Sequence, residues 1–194
     1  MKAILLAGAL SLTAVSALAA PVTYKVDPAH TYPSFEADHM GGVSKWRGKF
    51  NSSQGSFTLD KEAKTGTVDL TIDVASLDFG NDKLNEHALK EPAMFDVAKF
   101  PTATYKGKVS KWGANGPQEI SGDLTLHGVT KPVTLKVNSF TCKQNPMSKK
   151  EVCGADAEAT FNRGDFGVNY VLDKGFKPEV TLRIEVEGSP AAAT

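Results

Sequence analysis

Hydrophobic and polar residues alternate along most of this chain with a period of two. In residues 67–77, TVDLTIDVASL, Val68, Leu70, Ile72 and Val74 point one way, while Asp69, Thr71 and Asp73 point the other. EISGDLTL (119–126) sets Ile120, Leu124 and Leu126 against Ser121, Asp123 and Thr125. PVTLKVNSF (132–140) turns Val133, Leu135 and Val137 inward, and EVTLRIEVE (179–187) does the same with Val180, Leu182, Ile184 and Val186. Weaker alternation runs through VTYKV, SFEADH, WRGKFNSSQGSFTLD, TATYKGKVSKW and ADAEATFNR. Such strands bury one face and wet the other, as antiparallel sheets do. Turn residues separate nearly all of these segments: DPAH, KEAKTG, GANGPQ, HGVTKP and DKGFKP. The pattern predicts about nine strand segments in an all-β chain, with about eight strands closing into an up-and-down antiparallel barrel; a two-sheet sandwich is the alternative.

One segment breaks the rule. Residues 81–101, NDKLNEHALKEPAMFDVAKFP, have no alternation and are rich in helix formers. Asn81 or Asp82 can cap a short helix over about 82–90, and Glu91-Pro92 ends it, because the residue before proline avoids the helical region. A turn carrying Met94 and Phe95 follows. The pattern leaves open whether this insertion is a lid or a fixed cover over one barrel end.

The first nineteen residues are of another kind. After Met1-Lys2, residues 3–18 carry no charge, and Ala17-Leu18-Ala19 supplies the small residues of a signal-peptidase site. The apolar run falls short of the ~20 residues that span a bilayer. This predicts a cleavable signal peptide over 1–19, a single domain over 20–194, and a secreted, periplasmic protein. Cys142 and Cys153 flank KQNPMSKKEV, a polar stretch that reads as a hairpin tip. In an oxidising compartment they are expected to form a structural disulfide.

Charge and motifs remove whole classes of function. Lys+Arg and Asp+Glu each number 22, so there is no net positive charge to attract nucleic acid. The nucleophile-elbow, zinc-protease, phosphate-loop and dinucleotide fingerprints are all missing. His30, His39, His87 and His127 lie on four separate segments, without the short spacing of a local metal pair. No enzyme activity, metal or cofactor is expected. In GDLTLHGVTKPV (122–133), His127 lies on the opposite parity to Leu124 and Leu126, beside Gly128. It reads as an outward-facing turn residue, and Pro132 as the first position or the edge of the returning strand.

What the inward faces lack is more informative. ADAEATF places Ala155, Ala157 and Ala159 inward before Phe161, and ATYKGKV puts Ala103 and Gly107 on the parity of Tyr105 and Val109. An eight-stranded barrel is wide enough either to be filled or to hold one small ligand. Alanines leave it under-filled unless Phe35, Phe57 and Tyr105 grow into the space, so an apolar cavity is expected.

Five blocks in order then carry a resemblance over the whole span from Tyr24 to Glu187: YKVDPAHT; FEADHMGGVSKWRGKF; ASLDFGNDKLNEHALKEPAMFDVAKFPTATY; GDLTLHGVTKPVTLKV; and FNRGDFGV with the closing TLRIEVEG. The chain resembles the YceI-like family of periplasmic, lipocalin-like, polyisoprenoid-binding proteins. The resemblance implies an eight-stranded antiparallel lipocalin-like barrel with a helical insertion near its mouth. It also implies a long-chain ligand inside: a polyisoprenoid, quinone-like lipid or fatty amide. A partnership with a membrane b-type cytochrome or a stress-response system, the barrel only structural, is the alternative. The oligomeric state stays open, a homodimer included. Carried onto this chain, the implied ligand contacts are Phe35, Tyr105, Ala157, Ala159 and Phe161 along the tunnel, with Phe79, Met94 and Phe95 at the helical mouth. His39 and Trp46 could meet a head group, although a buried hydrogen-bonding role explains His39 as well. Arg163 and Asp165 match a family block, and an ion pair closing the strand explains them equally. Departures from the family pattern are Pro33, which argues an edge or bulge, the added glycine at Gly41-Gly42, the altered helical block, and the two cysteines.

Overall fold

The computed structural model describes residues 20–191. The expected signal peptide lies outside them. The strands are β1 (Val22–Val26), β2 (Ser34–His39), β3 (Ser44–Phe50), β4 (Ser53–Asp60), β5 (Thr65–Asp73) and β6 (Leu77–Asp78). After the helix α1 (Asp82–Lys90) come β7 (Thr102–Gly113), β8 (Gly116–Leu126), β9 (Val129–Gln144), β10 (Glu151–Asn162) and β11 (Glu179–Pro190).

All pairings are antiparallel, and eight of the strands form a ring in the order β1-β4-β5-β7-β8-β9-β10-β11. The ring closes where β11 pairs with β1 at Val26 and Gly188. This is the predicted eight-stranded barrel. The three remaining strands prolong the first part of the ring: β2 lies between β11 and β3, and β6 borders β3. Short breaks join each to its neighbour in sequence. Asp27 caps the single turn Pro28–His30 between β1 and β2, and Asp73 caps Val74–Ser76 between β5 and β6, each carboxylate accepting a backbone N–H two residues on. Residues 46–60 alternate like one strand, yet Asn51-Ser52 divides them. There Asn51 N–H donates to the Ser76 carbonyl and Asp73 N–H to that of Ser52. Hence eleven segments where alternation alone gives about nine. Pro33 falls in the β1–β2 break, just before β2.

The helix forms where capping and proline place it. The Asn81 side chain accepts from Leu84 N–H at 3.1 Å, and Glu91 N–H closes on the His87 carbonyl before Pro92. Its buried residue is Ala88. The strap beyond it is tied down at Ala93, whose carbonyl accepts from Tyr170 N–H, and at Pro92, whose carbonyl bonds His127 Nε2 at 3.1 Å. His127 and Gly128 (φ 52° and 75°) form the two-residue β8–β9 turn, the left-handed geometry such hairpins prefer. The His127 ring packs against Phe100, centroids 4.3 Å apart. It is a turn residue, as expected, and its ring holds the strap.

Pro132 sits inside β9, opposite Asp123, and not at its first position. The ladder between β9 and β10 begins only at Lys136–Glu158, so at Pro132 one side of β9 is an edge, where a missing N–H costs little. At the end of the barrel away from α1, Cys142 and Cys153 face each other across β9 and β10 and form the disulfide, Cα atoms 4.0 Å apart.

Candidate functional site

The inward faces predicted from alternation surround a cavity of about 380 Å³. Ile120, Leu124 and Leu126 of β8, Leu135 and Val137 of β9, and Val180, Leu182, Ile184 and Val186 of β11 all contribute to its wall. Val68, Leu70 and Ile72 of β5 do so opposite. The size falls within the range of pockets that enclose small organic ligands, about 300–1,000 Å³.

The space exists because two strands set three places apart in the ring, β7 and β10, carry little side chain on their inner faces. Ala155 and Ala157 of β10 and Ala103 of β7 line it, and no bulky neighbour refills it. Phe57 stacks on Tyr24 with centroids 5.0 Å apart, and Tyr105 lies along the wall. The Tyr105 hydroxyl donates to the carbonyls of Ile120 and Val133 at 3.1 and 2.9 Å. The ring can lie there because position 107 is glycine: a Cβ on Gly107 would stand 3.0 Å from Tyr105 Cε1. Burial, then the charge of Asp123, raises the phenol pKa, so Tyr105 stays neutral. The deep wall therefore offers a ligand surface without charge.

Toward α1 the wall becomes aromatic and then polar. A chain of ring contacts runs from Phe176 to His39 (5.6 Å), His39 to Trp46 (4.5 Å), Trp46 to Phe79 (6.0 Å) and Phe79 to Phe35 (5.6 Å). Phe35 then meets Phe50 and Phe95. Antiparallel pairing makes this chain: Ala37 faces Trp46 and Phe35 faces Gly48 across β2 and β3. His39 stacks nearly flat on Trp46, its Nδ1 3.3 Å from Ser44 Oγ, so the ring is held by stacking and one hydrogen bond.

Asp38 and Arg163 are the charged groups of the wall. Asp38 accepts the backbone N–H groups of Lys177 and Gly41, each at 2.9 Å, and these hold its carboxyl below the usual range. Arg163 donates to the carbonyls of Val168 and Tyr170, both at 2.9 Å, and partial burial lowers its pKa. Of the two readings offered for Arg163 and Asp165, the ion pair is not formed: the guanidinium clamps the 163–170 backbone, while Asp165 stays exposed. The clamp brings Tyr170 and Val171 to the wall, and Phe176 follows on the same loop. Alternation could not find these three, because the loop has none. Val171 has φ +53°, a left-handed conformation rare for a β-branched residue, and adopts it at the cavity wall.

Of the ten positions named as ligand contacts, Phe35, His39, Trp46, Phe79, Met94, Phe95, Tyr105, Ala157 and Phe161 line this one cavity. Ala159 does not. Its parity is right, since it is buried in the same packed cluster as Ala157, but it contributes nothing to the cavity wall. Phe161 stands edge-on to Phe166 at 5.0 Å. Among the described residues one group of metal-type donors converges: Cys142, Glu151 and Cys153. Both sulfurs are spent in the disulfide, and Glu151 bonds Tyr24 and Lys61.

A family model described as the YceI-like domain matches residues 24–188. The chain belongs to the YceI-like family. UPF0312 proteins are similar over nearly the full length: one from Pseudomonas aeruginosa is 36% identical over 185 residues, covering 93% of both chains. Another from Enterobacter sp. is 37% identical over 185 residues, covering 93% of this chain and 92% of its own. Among solved structures, BcnA of Burkholderia cenocepacia superposes with a TM-score of 0.68 at 24% identity, covering 84% of this chain and 98% of BcnA. A polyisoprenoid binding domain from Saccharophagus degradans, implicated in plant cell wall breakdown, gives 0.62 at 15% identity, covering 88% and 99%. These two likenesses bear on the YceI-like barrel fold.

Proposed function

We propose that this YceI-like protein is a non-enzymatic carrier that holds one long-chain apolar molecule inside its barrel. The observation that carries this reading is the long, predominantly apolar wall, left under-filled at the alanines of β7 and β10, with the Tyr105 hydroxyl already donated to the backbone and the charged groups Asp38 and Arg163 toward the α1 end. Each methylene moved from water into such a wall contributes about 0.8 kcal/mol, so a chain binds for its length. The polar end of the ligand belongs at the α1 end, among Asp38, His39 and Arg163. A polyisoprenoid, a quinone-like lipid or a fatty amide fits this division, and the name of the Saccharophagus degradans domain favours the first. The chain acts in the periplasm, its first nineteen residues serving as the cleaved leader.

The alternative, a partner module of a membrane cytochrome with a merely structural barrel, calls for a filled interior. The cavity of about 380 Å³ favours the carrier. Trp46 reports binding, because it lines the cavity. Titrating delipidated protein with prenols, quinones and fatty amides of graded length is expected to change its fluorescence saturably, with affinity rising with chain length. No saturable change with any of the three classes would overturn the proposal.

A further inference from the structure

Among the described residues, the large apolar side chains standing well out in solvent are Val22, Met40, Val43 and Met147. Val22 and Met147 lie apart, toward the disulfide end. Met40 and Val43 share the four-residue turn between β2 and β3, 58% and 75% exposed, directly after the cavity residues Asp38 and His39. The turn is braced: Asp38 bonds Gly41 N–H and reaches across to Lys177 N–H, and Val43 N–H donates to the His39 carbonyl at 3.1 Å. Bracing of this kind keeps two apolar side chains in water.

The charges beside it match one kind of partner. The Lys177 ammonium lies 3.7 Å from where a side chain on Gly42 would begin, and Lys174 is on the adjoining loop. Neither forms a salt bridge among the described residues, whereas Lys45, at the foot of the turn, is paired with Glu36. Of the acids nearby, Asp38 is occupied by backbone N–H groups and also feels the Lys177 charge, while Asp173 on the same loop and Glu179 at its end are exposed. Exposed apolar side chains beside lysines that form no salt bridge are the elements of reversible binding to an anionic bilayer. No helix among the described residues is long and apolar enough to cross a membrane.

We propose that the β2–β3 turn is a membrane-docking tip: Met40 and Val43 enter the acyl layer of an anionic bilayer while Lys174 and Lys177 meet its phosphates. The α1 end of the cavity then faces the phase in which a long apolar ligand dissolves. This rests on the carrier reading for its purpose, and on the turn alone for its geometry.

Flotation with vesicles of phosphatidylethanolamine and phosphatidylglycerol tests it. The protein is expected to float with the vesicles, and Met40→Ser with Val43→Ser to lower the bound fraction about tenfold or more. Lys174→Gln with Lys177→Gln is expected to weaken binding and to flatten its dependence on phosphatidylglycerol. Met147→Ser, at the far end, floats like the wild type. Melting temperatures, and binding of a prenol delivered from detergent, stay unchanged in the turn variant. Failure of the wild type to float, or equal flotation of the turn variant, overturns the proposal, as does an equal loss in Met147→Ser. Flotation lost with the turn variant, in a protein that takes up no prenol from detergent, upholds the docking tip and removes the carrier reading.

Discussion

The hydroxyl of Tyr105 on β7 donates to the carbonyl of Val133 on β9, two strands away, at 2.9 Å. The ring that makes this reach lies against Gly107, where a Cβ would also stand 2.9 Å from Ile120 Cγ2. One glycine thus sets the position of one cavity wall. Gly107→Ala is expected to lower stability by about 1–3 kcal/mol through overpacking. Tyr105→Phe, which removes the bond and keeps the ring, is expected to cost about 1 kcal/mol. Urea midpoints at constant slope measure both.

The space inside the barrel can be filled on purpose. Ala157 is 4% exposed and lines the cavity. Ala157→Phe places a ring where the ligand lies, and is expected to lower affinity for a prenol about tenfold or more, because a small pocket discriminates by such steps. Trp46 fluorescence titration reads the affinity, and circular dichroism confirms that the sheet persists. An unchanged affinity would put the ligand elsewhere.

The disulfide sits far from the proposed polar end of the ligand and spans eleven positions of sequence. Reduction, or Cys142→Ser with Cys153→Ser, is expected to lower stability by about 3 kcal/mol in the chain-entropy account. Ligand affinity is expected to hold. Denaturant unfolding with and without reductant measures the first, and the same titration the second.

Glu151 links stability to pH. Its carboxylate accepts from the Tyr24 hydroxyl at 2.5 Å, and this bond, followed by Lys61, holds its pKa below the usual carboxylate range. A depressed folded-state value means that the stabilisation is complete above the unfolded value of about 4.3 and lost as pH falls through the folded one. Glu151→Gln is therefore expected to melt below the wild type at neutral pH, the difference closing on acidification. Melting curves from about pH 7 to about pH 3 show it. A difference that stays constant with pH would contradict the charge-based origin.

Much of this was legible in the sequence because the signals are local. Val180, Leu182, Ile184 and Val186 alternate and all line the cavity, and Asn81 with Pro92 brackets α1. What escaped depends on tertiary geometry. Asn51-Ser52 splits a run whose alternation reads straight through it, since parity does not register a bend. Ala159 has the parity and the burial of Ala157, yet two residues farther along β10 the wall no longer opens on the cavity, and alternation does not register where a cavity ends. Tyr170, Val171 and Phe176 reach the wall because Arg163 clamps a loop with no period of its own.

Native mass spectrometry of the protein purified from its own host, with solvent extraction of the same sample, tests the central claim most directly. The account predicts a stoichiometric adduct of one long-chain apolar molecule, recovered in the extract and diminished in Ala157→Phe. A protein that flies cleanly empty, and that stays empty after incubation with prenols, quinones and fatty amides, would contradict it.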